Sequence, residues 1–104
     1  MLTQRLAQFV VDTRTQDIPA SVLAGSRHAL IDTLGCALAG TLEPVAELAA
    51  QYVQEAGARG QATVWGRNVA TTAAEAAFAN GIAGHALDFD DSLPSLRGHP
   101  STTM

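Results

Sequence analysis

Residues 19–57 read PASVLAGSRHALIDTLGCALAGTLEPVAELAAQYVQEAG. Pro19 suits the first turn of a helix, where its missing N–H leaves no partner unsatisfied. From there Val22, Leu23, Leu30, Ile31, Leu34, Ala37 and Leu38 recur at helical spacing and cover most sides of the cylinder. Such a helix is expected at the centre of a fold, as its most buried element. Gly40-Thr41 closes it. Pro44 then opens a further helix carrying Val45, Leu48, Ala49, Tyr52 and Val53, and Gly57 supplies its C-terminal cap.

Working outward, Leu2, Leu6, Phe9 and Val10 predict an amphipathic first helix that ends before Asp17-Ile18-Pro19. On the other side, ATVWG at 62–66 lies between glycines and is β-prone, so it is expected to form one short strand or an extended link. The alanine-rich TTAAEAAFAN opens a fourth helix, expected from about Ala70 onward toward Asp91. Twenty alanines favour helices that approach one another closely. The predicted class is mainly α, with at most one strand. Gly81 and Gly84 fall inside the last helix and should mark a close backbone contact or a break.

The 104 residues suffice for one small domain, which buries only about 60 to 65% of its unfolded surface. With 47% hydrophobic and 15% charged residues the chain is globular, and it is expected to expose some apolar surface. Its net charge of −4 is spread along the chain without a basic face, which argues against nucleic acid or anionic lipid as a partner. All six bases are arginine, so chemistry that needs a lysine cannot be completed by these residues. Cys36 stands alone, which excludes an internal disulfide and a cysteine-based zinc knuckle. Its apolar neighbours favour a packed thiol. The apolar stretch from Thr33 to Leu42 is too short to span a bilayer, and the N-terminus lacks a secretory core, so a soluble, cytoplasmic protein is expected.

Chemistry concentrates in HALDFDDSLPSLRGHP, residues 85–100. If the fourth helix continues past Gly84, then His85, Asp88 and Ser92 form one polar stripe beside an apolar face of Ile82, Ala86, Phe89 and Leu93. That geometry makes Asp88 the neighbour of His85 and leaves Asp91 to cap or be solvated. His99 precedes Pro100, which biases it to an extended conformation, so a loop from Leu93 to Gly98 is expected to fold it back over the stripe. Three readings suit this cluster. A helix end followed by a Pro/Gly loop is often polar simply because it is wet. The HxxD spacing also suits a His/Asp metal site, as in a metal hydrolase. The remaining reading is metal-free acid–base chemistry by an imidazole and a carboxylate. Elsewhere, His28 and Asp32 are expected to form a buried structural pair, GRN at 66–68 is too short for a phosphate loop, and Trp65 and Tyr52 are expected to pack.

ALIDTLGCALAG (29–40), ANGIAGHALDFDD (79–91) and GHPST (98–102) together resemble, in order, the N-terminal part of the MmgE/PrpD family. That family includes 2-methylcitrate dehydratase, cis-aconitate decarboxylase and iminodisuccinate epimerase. The resemblance spans nearly the whole chain but only about the first quarter of a typical member. It implies an N-terminal fragment of an all-helical domain, over residues 1–104, with the α/β lid domain absent. It further implies a cleft between the two domains, in which Asp88 and His99 are catalytic. Ser92, where relatives often carry threonine, is implied to bind substrate. The loop SLPSLRG departs from the relatives, and its Arg97 is expected to meet a substrate carboxylate, with His85 of the polar stripe also expected at the binding site.

The implied activity is that of a lyase or epimerase acting on small polycarboxylates. A proton leaves the carbon next to a carboxylate, and hydroxide or carbon dioxide is lost or the carbon is reprotonated. No metal and no organic cofactor are implied. The full-length protein is expected to be a homodimer, and the fragment alone to be inactive, because the family's lysines and a further histidine would lie past residue 104. The alternative from another class is a non-catalytic helical module that associates through its apolar surface.

Overall fold

The computed structural model describes residues 1–95 and 97–103. Helix α1 (Leu2–Asp12) is followed by a 3-10 turn at Thr15–Asp17, α2 (Ala20–Gly40) and α3 (Pro44–Ala56). A hairpin of β1 (Ala62–Val64) and β2 (Val69–Thr71) leads into α4 (Ala73–His85), and a second 3-10 turn spans Ser101–Thr103. The class is mainly α.

The sequence signals act where local chemistry is strongest. Pro19 stands immediately before α2, and Pro44 occupies the first turn of α3. Gly57 ends α3 in the left-handed conformation, with φ of 66°. The turn between α2 and α3 swings the chain by 85°. Thr72 caps α4, its hydroxyl accepting from the Glu75 N–H at 3.3 Å.

Three expectations are corrected. Residues 69–71 begin no helix: they form β2, antiparallel to β1 with Ala62 opposite Thr71 and Val64 opposite Val69. The β-branched Val69 and Thr71 fit a half-buried ribbon, and Asn80 on α4 ties the ribbon down by accepting from the Trp65 N–H at 2.8 Å and donating to the Thr63 carbonyl at 3.0 Å. Helix α4 stops at His85 instead of running toward Asp91. There Asp88 adopts φ of 55°, a conformation aspartate tolerates better than most residues, and its N–H reaches back to the His85 carbonyl at 3.0 Å. Third, α2 is not the most buried element: only Ala37 and Gly40 are buried along it. Its other apolar faces meet no covering element among the described residues, leaving Leu30, Ile31 and Leu38 more than half exposed. His28 and Asp32 accordingly lie exposed, without the hydrogen bond expected between them.

The core lies between α3, α4 and the hairpin, where Ala49, Ala50, Val53, Val64 and Ala79 cluster with Val69 and Ile82 packed against them. Arg67 clamps the hairpin to α3 through Glu47 at 2.7 Å and to the α2 terminus through the Thr41 carbonyl at 3.0 Å. Tyr52 and Phe78 meet edge to face at 5.7 Å. None of the residues of α1 is buried. No single helix among the described residues is long and apolar enough to cross a membrane.

Helix α2 reaches α4 by backbone contact. A Cβ on Gly40 would collide with the Ala83 carbonyl oxygen, and one on Gly84 would stand 3.1 Å from the Thr102 methyl. Gly25, on the same helix as Gly40, has nothing within 4 Å of that position. Gly40→Ala is therefore expected to destabilise the chain by about 1 to 3 kcal/mol through overpacking. Gly25→Ala is expected to stabilise it by about 0.5 to 1 kcal/mol by favouring the helix. Urea unfolding of the two variants checks both signs.

Candidate active site

The site is assembled where α4 ends. Because α4 stops at His85, the chain from Ala86 to Asp91 turns back, and the carboxylate that reaches His85 is Asp90. Its Oδ1 accepts from His85 Nδ1 at 3.0 Å, and its Oδ2 accepts from the Thr102 hydroxyl. Asp90 is 4% exposed, so these bonds are made out of water. The turn closed by the Leu93 N–H to Gly98 carbonyl bond, 3.0 Å, folds His99 over the same point. Its Nδ1 lies 3.1 Å from the Asp90 carbonyl oxygen and 3.4 Å from Asp90 Oδ1, and its Nε2 lies 3.3 Å from Asp88 Oδ1. The two imidazoles meet edge to face at 4.5 Å.

Asp88 and His99 therefore stand together. His85 joins them through Asp90. Ser92 and Arg97 are exposed, and no contact joins either side chain to the histidines. Arg97 itself has φ of 50° in the turn that returns His99. Asp91, expected from spacing to cap or be solvated, accepts through Oδ1 from the Ser101 N–H at 3.2 Å.

The residue that spacing missed is Asp90. A continuous helix would carry it away from His85, and only the break at 86–88 brings it inward. The signal available was Gly81 and Gly84 within the helix together with three aspartates in four residues, a combination that favours local side-chain bonding over another helical turn.

Asp90 oxygens can only accept, so the His85 Nδ1 that faces Oδ1 carries a proton, whereas His99 faces an oxygen acceptor at each nitrogen, the Asp90 carbonyl at Nδ1 and Asp88 Oδ1 at Nε2. The His99–Asp88 contact is then attractive when that Nε2 also holds a proton, so His99 and Asp88 face each other as an acid–base pair. The hydrogen bond from His85 to Asp90, outweighing desolvation, raises the His85 pKa. At Asp90, burial pushes upward, but hydrogen bonds from Thr102 and His85 outweigh it and hold the carboxyl below its usual range. Burial likewise raises the Cys36 thiol, with Asp32 and Asp90 adding to the effect. His85 and His99 line a cavity of about 510 Å³ with Phe78, Ile82 and Thr102. A neighbouring trough of about 630 Å³ runs between α2 and α4 past Thr33, Trp65 and Thr102.

Ligand atoms of His85, Asp88, Asp90 and His99 all lie within 4.8 Å of one another, a nitrogen and oxygen set of the kind that suits a divalent transition metal. The same set suits proton transfer without one, because His85 Nδ1 and both nitrogens of His99 already face an oxygen.

A mainly α domain with a histidine and aspartate cluster at the end of α4 is the class of protein that the fold and site define. The family model for the MmgE/PrpD N-terminal domain matches residues 4–104. The chain belongs to the MmgE/PrpD family. It is 31% identical over 102 residues to human cis-aconitate decarboxylase, covering 97% of this chain and 20% of that protein. A cis-aconitate decarboxylase-like protein of Aspergillus oryzae is 33% identical over 103 residues, covering 99% and 21%. Mouse cis-aconitate decarboxylase is 29% identical over 102 residues, covering 97% and 20%. The chain thus spans about a fifth of the length of these curated relatives. The relatives whose names state an activity are lyases.

The raised His85 pKa carries a sign for stability. A group whose folded pKa exceeds its unfolded value contributes fully below the unfolded value, about 6.5 for histidine, and loses that contribution as pH rises through the folded pKa. Asp90, with its pKa lowered, contributes above the ordinary aspartate value and loses its share as pH falls through the folded value. The pair is therefore strongest in mildly acidic solution. The stability gap between the wild-type chain and His85→Gln should be wider at pH 5.5 than at pH 9, as read by urea unfolding at the two pH values.

Proposed function

We propose that this chain forms one wall of the active site of a cofactor-independent lyase acting on small polycarboxylates, with decarboxylation of a cis-aconitate-like tricarboxylate as the favoured reaction. Membership of the family and the names of the relatives support the substrate class. The single observation that carries the assignment of roles is His99 Nε2 at 3.3 Å from Asp88 Oδ1, beside a cavity.

In this reading His99 is the acid–base residue and Asp88 orients it or exchanges its proton. When carbon dioxide leaves a carboxylate-bearing carbon, the bonding electron pair stays on the substrate and must be taken by a proton. An imidazolium beside that carbon supplies it, and the carboxylate of Asp88 orients the ring for the transfer. Dehydration and epimerisation use the same pair in the reverse sense, His99 first taking the proton next to a carboxylate. Ser92 hydrogen-bonds substrate, His85 lines the binding cavity, and Arg97, exposed at the rim, meets a substrate carboxylate. Both of these last side chains would approach substrate from the open edge. The opposite wall, including the lysines this chain lacks, belongs to a lid domain in a longer cytoplasmic protein that works as a homodimer without metal or organic cofactor.

A second reading has an observation of its own. Leu2, Leu6, Phe9 and Val10 of α1, together with the uncovered faces of α2, form apolar surface open to water, which suits an association module inactive by itself. Sedimentation of the purified chain separates it from the first, since association without turnover in the full-length protein would favour this reading.

The direct experiment places Asp88→Asn and His99→Gln in a full-length MmgE/PrpD protein that carries this sequence. Each is expected to lower kcat by about 100-fold or more with cis-aconitate. Arg97→Gln is expected to raise KM with a smaller effect on kcat. Turnover should survive exhaustive chelation. Near-normal kcat in either of the first two variants would refute the roles given.

A further inference from the structure

His85, Asp88, Asp90 and His99 offer one donor atom each, two nitrogens and two oxygens, all within 4.8 Å of one another. In a tetrahedral zinc centre, with bonds to nitrogen and oxygen of about 2.0 to 2.2 Å, neighbouring donors stand roughly 3.3 to 3.5 Å apart. The spacings here are close to that. His99 Nδ1 lies 3.4 Å from Asp90 Oδ1, His99 Nε2 lies 3.3 Å from Asp88 Oδ1, and His85 Nδ1 lies 3.0 Å from Asp90 Oδ1.

We propose that these four side chains form a binding site for a divalent ion of the zinc type, and that the ion, once bound, closes the acid–base site as a reversible inhibitor.

The binding stands on geometry and charge alone, while the inhibition rests on the lyase reading. Two carboxylates and two neutral imidazoles balance a doubly charged ion. No side-chain cation competes for the place: the chain has no lysine, and among the described residues no arginine forms an ion pair with Asp88 or Asp90. Nitrogen donors select zinc and its neighbours over magnesium and calcium, which favour all-oxygen sites. The site is also held from outside. Asp90 is buried, and the Thr102 hydroxyl donates to its Oδ2, which leaves Oδ1 turned toward the rings. A hydrogen bond of this kind to the second oxygen is the usual support of a ligating carboxylate. Thr102 is seated in turn by Gly84, whose missing Cβ leaves room for its methyl. An ion has a way in, because the His85 and Asp88 side chains are open to solvent and both rings line the cavity beside Phe78 and Ile82. Inhibition follows from the atoms engaged. An ion that binds His99 and Asp88 holds the ring and the carboxylate to which the proposed reaction assigns the proton, so metal and catalysis exclude each other. The ion is therefore no cofactor, and turnover that survives chelation agrees with this.

The chain is titrated with Zn2+ against a fluorescent chelator, and with Co2+ as the coloured substitute. One ion per chain is expected, with the intense visible absorption of four-coordinate Co2+, and excess Mg2+ is expected not to displace it. His85→Gln and His99→Gln are each expected to lower Zn2+ affinity by about 10-fold or more, and Thr102→Val, which keeps the shape and removes the hydroxyl, by about 10-fold. His28→Gln, on the exposed face of α2, is expected to change nothing. In a full-length MmgE/PrpD protein that carries this sequence, buffered free Zn2+ is expected to abolish turnover of cis-aconitate, a chelator to restore it, and Thr102→Val to raise the inhibiting Zn2+ concentration by the factor found for the chain. A pale six-coordinate Co2+ spectrum overturns the site, as does Zn2+ affinity that is equal in the wild type and both histidine variants, or lost in His28→Gln. The wild-type spectrum decides even where a variant does not fold. Undiminished turnover at saturating Zn2+ overturns the inhibitory role. Failure of the lyase reading looks different: the full-length protein then shows no turnover with or without Zn2+, and binding to the chain is unchanged.

Discussion

The contact between α2 and α4 is the constraint on which the rest depends. Two glycines make it possible: Gly40 lies against the Ala83 carbonyl, and Gly84 leaves space for the Thr102 methyl. A side chain at Gly40 would force the helices apart, one at Gly84 would crowd Thr102, and an interior that is already close-packed has little slack to absorb such shifts. With the helices in contact, the last turn at Ser101–Thr103 has a floor of small residues to sit on. Thr102 is thereby placed over Asp90, and the loop that carries Asp88, Asp90 and His99 closes on the end of α4. The alanine-rich composition thus serves the site directly, because small residues let the backbone elements that present it come near.

Much of the fold is legible in the sequence because it rests on local signals. Pro19, Pro44 and Gly57 each act through their own backbone chemistry, and each stands at a helix end in the structure. The errors share one cause. The second strand, the early end of α4 and the exposure of α2 all depend on contacts distant in sequence, which periodicity does not contain. Val69 and Thr71 become a strand because 62–64 lies beside them, and α2 stays open because apolar periodicity records a wish for burial and not the partner that grants it. The site divides the same way. Placing Asp88 with His99 came from resemblance and from the turn at 93–98, whereas Asp90 was hidden by the assumption of a continuous helix.

Electrostatics shows why the break in α4 is worth its cost. A straight helix through Asp91 would gain about two more turns of backbone bonding but leave three aspartates in water. Ending it at His85 forfeits those bonds and accepts a left-handed Asp88. In exchange one carboxylate is buried with donors on both oxygens, which a desolvated charge requires. The exchange is favourable only because Thr102 and the two histidines are all present, so the local fold and the cluster's chemistry select one another.

The same arrangement bears on the proposed anionic substrate. Asp88 is exposed beside His99 and Asp90 is buried behind the two rings that line the cavity, and a polycarboxylate would be repelled by these two carboxylates alone. The imidazoles lie between: His85 donates to Asp90 and His99 faces Asp88, so each carboxylate is answered by a ring that can carry a positive charge. In the proposed lyase reaction the proton that offsets the aspartates would also be the proton transferred, so binding of an anionic substrate and loading of the acid would be one event. In that reading the imidazolium charge is spent at the moment of transfer, and the aspartates left unbalanced would then oppose retention of an anionic product.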